Sequence, residues 1–249
     1  MRNIADYEQQ YMEHPFERTQ EGYRRKQIKS MIDTYAKAGN AISEIGCGLS
    51  PLFADYQDEY LFTVVEPAKH CYQNACSLAE SYQNVKCFQG FFEEVVSQLG
   101  EKPFDMIICS SLLHEVEQPQ LLLRAIGCLC HSQTIVHINV PNAFSFHRLL
   151  AKEMGFIQDV HQLSDANKTL QQYHVFDMET LTQLAVSEGF AVVDAGTYFL
   201  KPFTHQQMQQ CLDAGILNHY ILNALDQMCT SYMKEYGSEI YLNMHKICK

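Results

Sequence analysis

The chain has 249 residues, 47% hydrophobic and 19% charged, with a formal net charge of −11, a balance that suits one elaborated α/β domain and excludes a low-complexity or disordered chain. Its 18 Lys and Arg, set against 29 Asp and Glu, gather into no basic stripe, which argues against a nucleic-acid partner. No run has the length of a membrane-spanning helix and the first residues lack the apolar core of a signal peptide, so a cytoplasmic protein is expected, with no membrane partner.

In chain order, a short helical piece around Tyr7 and Tyr11 precedes an amphipathic helix over residues 16–35, and together residues 1–40 read as an N-terminal helical cap. Strands are expected at 41–44, 61–66, 85–89, 104–110 and 134–140. Helical patterns lie between them at 51–56, 68–82, 91–99 and 119–130. This alternation over 41–140 predicts a doubly wound, mostly parallel sheet covered on both faces. The pattern changes at Pro141, where 141–176 reads as a helical insertion with its clearest helix at 145–154, ended by Gly155. Residues 177–249 return to the core: a helix at 179–188, a strand at 190–200, a second helical insertion at 202–237 and a last strand at 240–247. Insertions at strand ends are where lids and acceptor pockets are built.

Ten cysteines fall mostly on apolar faces and are expected as free thiols in a reducing compartment. Cys128, Cys130 and His131 lack zinc-site spacing and a second ligand pair, so no metal centre is expected.

The densest chemical signal is Glu44-Ile45-Gly46-Cys47-Gly48 at the end of the first strand. An acid followed by Gly-x-Gly lets a small ligand approach bare backbone with a carboxylate close by. Glu66, 22 residues after Glu44 and at the end of the second strand, is placed to hydrogen-bond ribose hydroxyls. A nicotinamide site would want a third glycine where this chain has Pro51, which weakens the dinucleotide reading.

These blocks, with Val65-Glu66-Pro67 and the run from Phe104 to Val116 that ends in Leu113-His114-Glu115-Val116, resemble the class I S-adenosylmethionine-dependent methyltransferases of the bacterial small-molecule type. The resemblance spans about residues 40–140, in the family's order and spacing. It implies a seven-stranded Rossmann-like α/β sheet with its last strand antiparallel, 190–200 and 240–247 forming the closing pair. It also implies S-adenosylmethionine as methyl donor and S-adenosylhomocysteine as product. Carried over by position, it sets Gly46 and Gly48 against the methionine part, Glu66 with Pro67 on the ribose, Phe91 and Phe92 by the adenine, and Glu44 and Ser110 at the same site. Arg24 could reach the cofactor carboxylate through a bidentate pair, or be a surface arginine. Phe91 and Phe92 have helix-face packing as their alternative, and Glu44 a solvated strand end.

Methyl transfer from a sulfonium is an in-line displacement, so alignment and exclusion of water are the main tasks. A base, where the acceptor needs one, belongs at the end of the fourth strand. His114 and Glu115 lie there, in a block similar to the quinone-type O-methyltransferases but with His before the acid, which leaves open which of them acts. The alternative for His114 is a structural turn residue. The segment from Val140 to Arg148 resembles the lid of many bacterial small-molecule methyltransferases and sets Asn142, His147 and Arg148 toward the crevice. Tyr7 and Tyr11, His174 and Lys201 are further acceptor-binding candidates, with surface positions as their alternative. Several converging cations would suit an anionic acceptor, which needs charge neutralisation rather than a base.

The expected function is methyl transfer to an oxygen or nitrogen of a small-molecule acceptor under a helical lid, with a homodimer left open. A nucleic-acid amino-methyltransferase is disfavoured by Ser110-Ser111-Leu112-Leu113, where that group carries an Asn/Asp-Pro-Pro-aromatic motif. The rivals are a nicotinamide-dependent oxidoreductase and a non-catalytic S-adenosylmethionine-binding protein.

Overall fold

A computed structural model describes residues 15–100 and 102–247; Tyr7 and Tyr11 lie outside the described residues. Helix α1 spans Pro15–Tyr35, with proline at its first position, where a missing N–H costs nothing. Its buried row, Phe16, Gln20, Arg24, Ile28, Met31 and Ile32, follows the helical period, but two of its members are polar. That exception builds part of the site.

Seven strands follow: β1 Ala41–Ile45, β2 Leu61–Glu66, β3 Val85–Gln89, β4 Phe104–Ser110, β5 Cys130–Pro141, β6 Phe190–Tyr198 and β7 Glu239–Lys246. They form one sheet in the order β3-β2-β1-β4-β5-β7-β6. The first five run parallel, while β7 is antiparallel to both β5 and β6. The sheet is therefore the expected Rossmann-like one with its last strand reversed.

Helices α2 (Lys69–Ala79), α3 (Phe92–Val95), α4 (Pro119–Cys128) and α7 (Met178–Ser187) cover the sheet with α1. The insertion after β5 holds α5 (Phe146–Glu153) and α6 (Asp165–Thr169), and the one after β6 holds α8 (His205–Asp213) and α9 (His219–Ser231). One core packs Ile107, Val136, Ile138, Leu242 and Met244 against α3, α4 and α7. The opposite core packs Ile42, Phe62, Met106 and Ile108 against α1 and α2. The period-2 alternation of side chains separates the two sets.

Local departures from the expected elements have local causes. Residues 51–56 form no α-helix: the chain makes two 3-10 turns, Leu52–Asp55 and Gln57–Glu59, because it must return to β2 within a few residues. Helix α4 stops at Cys128, since residues from Cys130 onward already pair with β4. Strand β6 ends at Tyr198 because Phe199 takes a left-handed φ of 55°. The nine cysteines among the described residues are free thiols. Among the described residues no helix is long and apolar enough to cross a membrane.

Candidate functional site

The parallel strands end together at Ile45, Glu66, Ser110 and Pro141, and antiparallel β7 begins beside them, with Glu239 paired to Pro141. Open α/β sheets bind ligands along such a carboxyl edge. The described candidate residues fall into two groups, one around the turn after β1 and one over β4, β5 and β7.

The first group surrounds the turn after β1. Gly46 and Gly48 have φ of 76° and 55°, a region that costs side-chain-bearing residues about 1–2 kcal/mol. A Cβ on Gly48 would meet nothing within 4 Å, whereas one on Gly46 would lie 3.5 Å from the Leu112 side chain. The Gly48 backbone is thus bare on its open side. Glu66 pins the turn: its Oε2 accepts from the Gly48 N–H at 3.0 Å and its Oε1 from the Ala68 N–H at 2.8 Å. Pro67 follows, half-buried, and Ser110 pairs in register with Asn139 at the β4 tip.

Glu44 and Phe92 are both buried. For Glu44 this corrects the solvated strand-end alternative. Its Oε2 accepts from the Leu52 N–H at 2.9 Å, and burial pushes its carboxyl up to about 8, so it is protonated at neutral pH. Phe92 packs in the core with Ile45, Val65 and Leu113, which is the helix-face alternative. Phe91 caps α3 and is half-buried at the edge.

The second group covers β4, β5 and β7. His114 and Glu115 are buried in the 3-10 turn Leu113–Glu115, with Nε2 and Oε1 3.7 Å apart. The His114 carbonyl accepts from the Tyr173 and His174 amides at 3.0 and 3.1 Å. The first insertion is thereby stitched to the β4 turn. His174 Nε2 lies 3.3 Å from the Glu117 carbonyl.

Three further expectations change. Asn142 is committed to the framework: its Nδ2 donates to the Glu235 and Gly237 carbonyls, and its Oδ1 accepts from the Phe144 N–H. Arg148 donates to the Val160 and Gln162 carbonyls, with its shortest contact at 2.6 Å, and so braces the loop after α5. Arg24 is buried and paired, which corrects its surface alternative. Its Nε lies 3.1 and 3.0 Å from the two Glu239 oxygens, and its Nη2 donates to Glu239 at 2.6 Å and to Glu17 at 3.0 Å.

Glu239 is the centre of a network that the sequence reading missed. It also accepts from Tyr198 OH at 2.5 Å, Asn139 Nδ2 at 2.7 Å and Gln20 Nε2 at 2.9 Å. Burial alone would raise this carboxyl, but the Arg24 charge and these donors hold it down at about 2. Gln20 carries the network on to Lys201 and His205, each 2.9 Å from its Oε1. His147 feels the charges of the same cluster. Its Nδ1 is buried with no hydrogen-bond partner among the described residues. Burial, then the charges of Lys201, His205 and Arg148, push it well below the ordinary histidine value. A sequence signal for Glu239 did exist: in Glu239-Ile240-Tyr241-Leu242-Asn243-Met244 the polar residues alternate with apolar ones, which sets Glu239 on the α1 side of β7.

A methyltransferase-domain family model matches residues 20–195, more than half of the chain. No curated protein matches the sequence. Among solved structures, the plantazolicin methyltransferase BamL, crystallised with a desmethyl-plantazolicin analogue and S-adenosylhomocysteine, has a TM-score of 0.61 at 17% identity, covering 98% of this chain and 96% of its own. A possible histamine N-methyltransferase from Thermotoga maritima has a TM-score of 0.61 at 14% identity, with the same 98% and 96% coverage. The 4+2 cyclase SpnF has a TM-score of 0.59 at 13% identity, covering 90% and 81%. At these identities the likeness is one of fold.

Proposed function

The chain belongs to the methyltransferase-domain family, and on that premise we propose that it transfers a methyl group from S-adenosylmethionine to an oxygen or nitrogen of a small-molecule acceptor. The observation that carries this reading is the turn after β1, where the bare Gly48 backbone and the Glu66 carboxylate are held together by one hydrogen bond. A turn of glycines without side chains beside an acid at the end of β2 fits a ligand with an amino-acid end and a nucleoside end. Gly46 and Gly48 take the methionine end, Glu66 with Pro67 the ribose, and Phe91 the border of the adenine, with Ser110 at the β4 tip. Arg24, Glu44 and Phe92 act behind the site through the contacts described above.

When bound, the sulfonium supplies an activated methyl group. The chain's own residues align the acceptor and exclude water, which is where most of the rate in such a displacement originates. Buried His114 and Glu115 shape the β4 end of the acceptor site, while Asn142, Arg148 and His174 hold the insertion over it. BamL and the Thermotoga protein support small-molecule methyl transfer, and SpnF shows why turnover must be measured, since fold alone does not set the reaction.

Calorimetric titration tests the reading. S-adenosylmethionine and S-adenosylhomocysteine are expected to bind, and Glu66→Ala to weaken both by at least about tenfold, or roughly 1.4 kcal/mol. Binding of NAD with none of S-adenosylmethionine overturns the function; unchanged affinity in the Glu66 variant overturns the ribose contact.

A further inference from the structure

We propose that Lys201, set against His205 and Gln20, is a proton acceptor in the acceptor site, and hence that the acceptor is a proton-bearing nucleophile, an amine or a hydroxyl. This inference rests on the proposed methyl transfer and narrows its acceptor.

Gln20 has one amide orientation. Glu239 is ionised and can only accept, so the Gln20 nitrogen is the atom facing it and the Gln20 oxygen faces the other way. That oxygen can only accept as well. Lys201 Nζ and His205 Nε2 both lie 2.9 Å from it, and 2.9 Å from each other. The three edges of this triangle cannot all be satisfied by an ammonium. If Lys201 is charged and donates to both neighbours, His205 Nε2 must be bare, and it then faces the Gln20 oxygen lone pair to lone pair. If His205 Nε2 carries the proton and donates to Gln20, Lys201 can meet it only with a free amine lone pair. Losing a proton from Lys201 relieves the conflict.

The surroundings favour the same outcome. Lys201 is 4% exposed, and burial brings its amine down to about 8, with Glu17 and Glu239 opposing and Arg24 assisting. The charged and titratable groups facing it are Glu17 and Arg24 from α1, His147 from α5, His205 from α8 and Glu239 from β7. The cluster is also in the right place. Glu239 is tied to Asn139, whose strand position pairs with Ser110 at the β4 tip, so Lys201 shares the carboxyl edge with the cofactor turn.

In the step, the acceptor's lone pair bonds the methyl carbon as the carbon–sulfur bond breaks, with that bond's electrons staying on sulfur. The acceptor's N–H or O–H proton passes to the free Lys201 amine. The Lys201 ammonium so formed gives its proton to solvent as the product leaves, which restores the free amine.

Two measurements test this. In protein labelled with 13C at the lysine Cε, with the signal assigned by its loss in Lys201→Arg, Lys201 is expected to titrate at least about one unit below the ordinary lysine value of roughly 10.4 and to move in His205→Gln. Titration in the ordinary range, or no response to His205→Gln, overturns the proposal without any acceptor being known. In the second, transfer of a tritiated methyl group is counted on a panel of primary amines and phenols against a panel of carboxylic acids. Lys201→Arg keeps the cation but cannot give up its proton. It is expected to retain S-adenosylmethionine binding while kcat on the amine or phenol falls about 100-fold or more. A wild-type rate in Lys201→Arg, methylation of carboxylates alone, or no methylated amine or phenol despite cofactor binding each overturns the proposal. Absence of cofactor binding in the wild type overturns the underlying function instead.

Discussion

Arg24 and Glu239 compensate each other's burial, and neither is tolerable alone. Glu239 has no exposed surface and takes hydrogen bonds from four side chains on three elements, so its charge is solvated by the protein in place of water. Glu239→Gln would remove that charge and leave Arg24 with only Glu17. Breaking a buried pair on one side costs about 3–5 kcal/mol, and guanidinium-chloride unfolding of the variant is expected to show a loss of that size. A change below about 1 kcal/mol would mean that the pair is open to water in solution. Gly48 gives the opposite case. Since a Cβ there meets nothing, Gly48→Ala is expected to cost only the about 1–2 kcal/mol of its left-handed backbone. The added methyl group would occupy the open face of the turn, so S-adenosylhomocysteine affinity should fall at least about tenfold, as calorimetry can check. A variant that binds normally would place the ligand elsewhere.

At the scale of elements, the insertion after β5 is a framework of side chains bonded to backbone. Asp177 caps α7 through the Thr180 N–H at 2.7 Å, and its other oxygen lies 2.9 Å from His161 Nε2. Arg148 clamps the neighbouring Val160 and Gln162 carbonyls. Asp177→Ala removes the cap and the His161 anchor together. The expected cost is about 1–2 kcal/mol, or roughly 2–8 °C in Tm for a chain of this size, with faster amide exchange around residues 156–164 measured by mass spectrometry. Unchanged exchange there would show that Arg148 holds the loop by itself. This also explains what could be read from the sequence. β2, β3 and β4 begin and end where their apolar runs predict, because local period and flanking turns decide them. The glycine turn and Glu66 were legible for the same reason, lying within one strand-turn unit each. Arg24 and Glu239 are 215 positions apart, and no local pattern announces a partner at that distance. Gln20 and Arg24 interrupt the apolar row of α1, and that interruption has meaning only once β7 is known to lie beneath it.

For the whole molecule, these buried groups set the pH at which the fold is strongest, and the sign follows from which state holds more protons. Glu44 is raised in the folded chain to about 8, so its stabilisation is complete below its unfolded value and is lost as pH rises toward 8. His137 and His147 are lowered by burial, so the unfolded chain takes up their protons first and stability falls as pH drops below about 6.5. Glu93, also raised by burial, flattens that acid limb near its lower end. Glu239, lowered to about 2, withdraws its contribution only as pH falls from the ordinary carboxylate range through that value. The balance places the maximum near pH 6.5, with a loss of about 2 kcal/mol by pH 8 at roughly 1.4 kcal/mol per unit for one proton. Unfolding by guanidinium chloride at stepped pH should trace this peak. Glu44→Gln keeps an acceptor for the Leu52 amide but has no proton to lose, so its curve should stay flat from 6.5 to 8. His147→Leu should instead gain on the wild type only below 6.5. If both variants run parallel to the wild type at every pH, then neither Glu44 nor His147 is as dry in solution as its surroundings in the fold require.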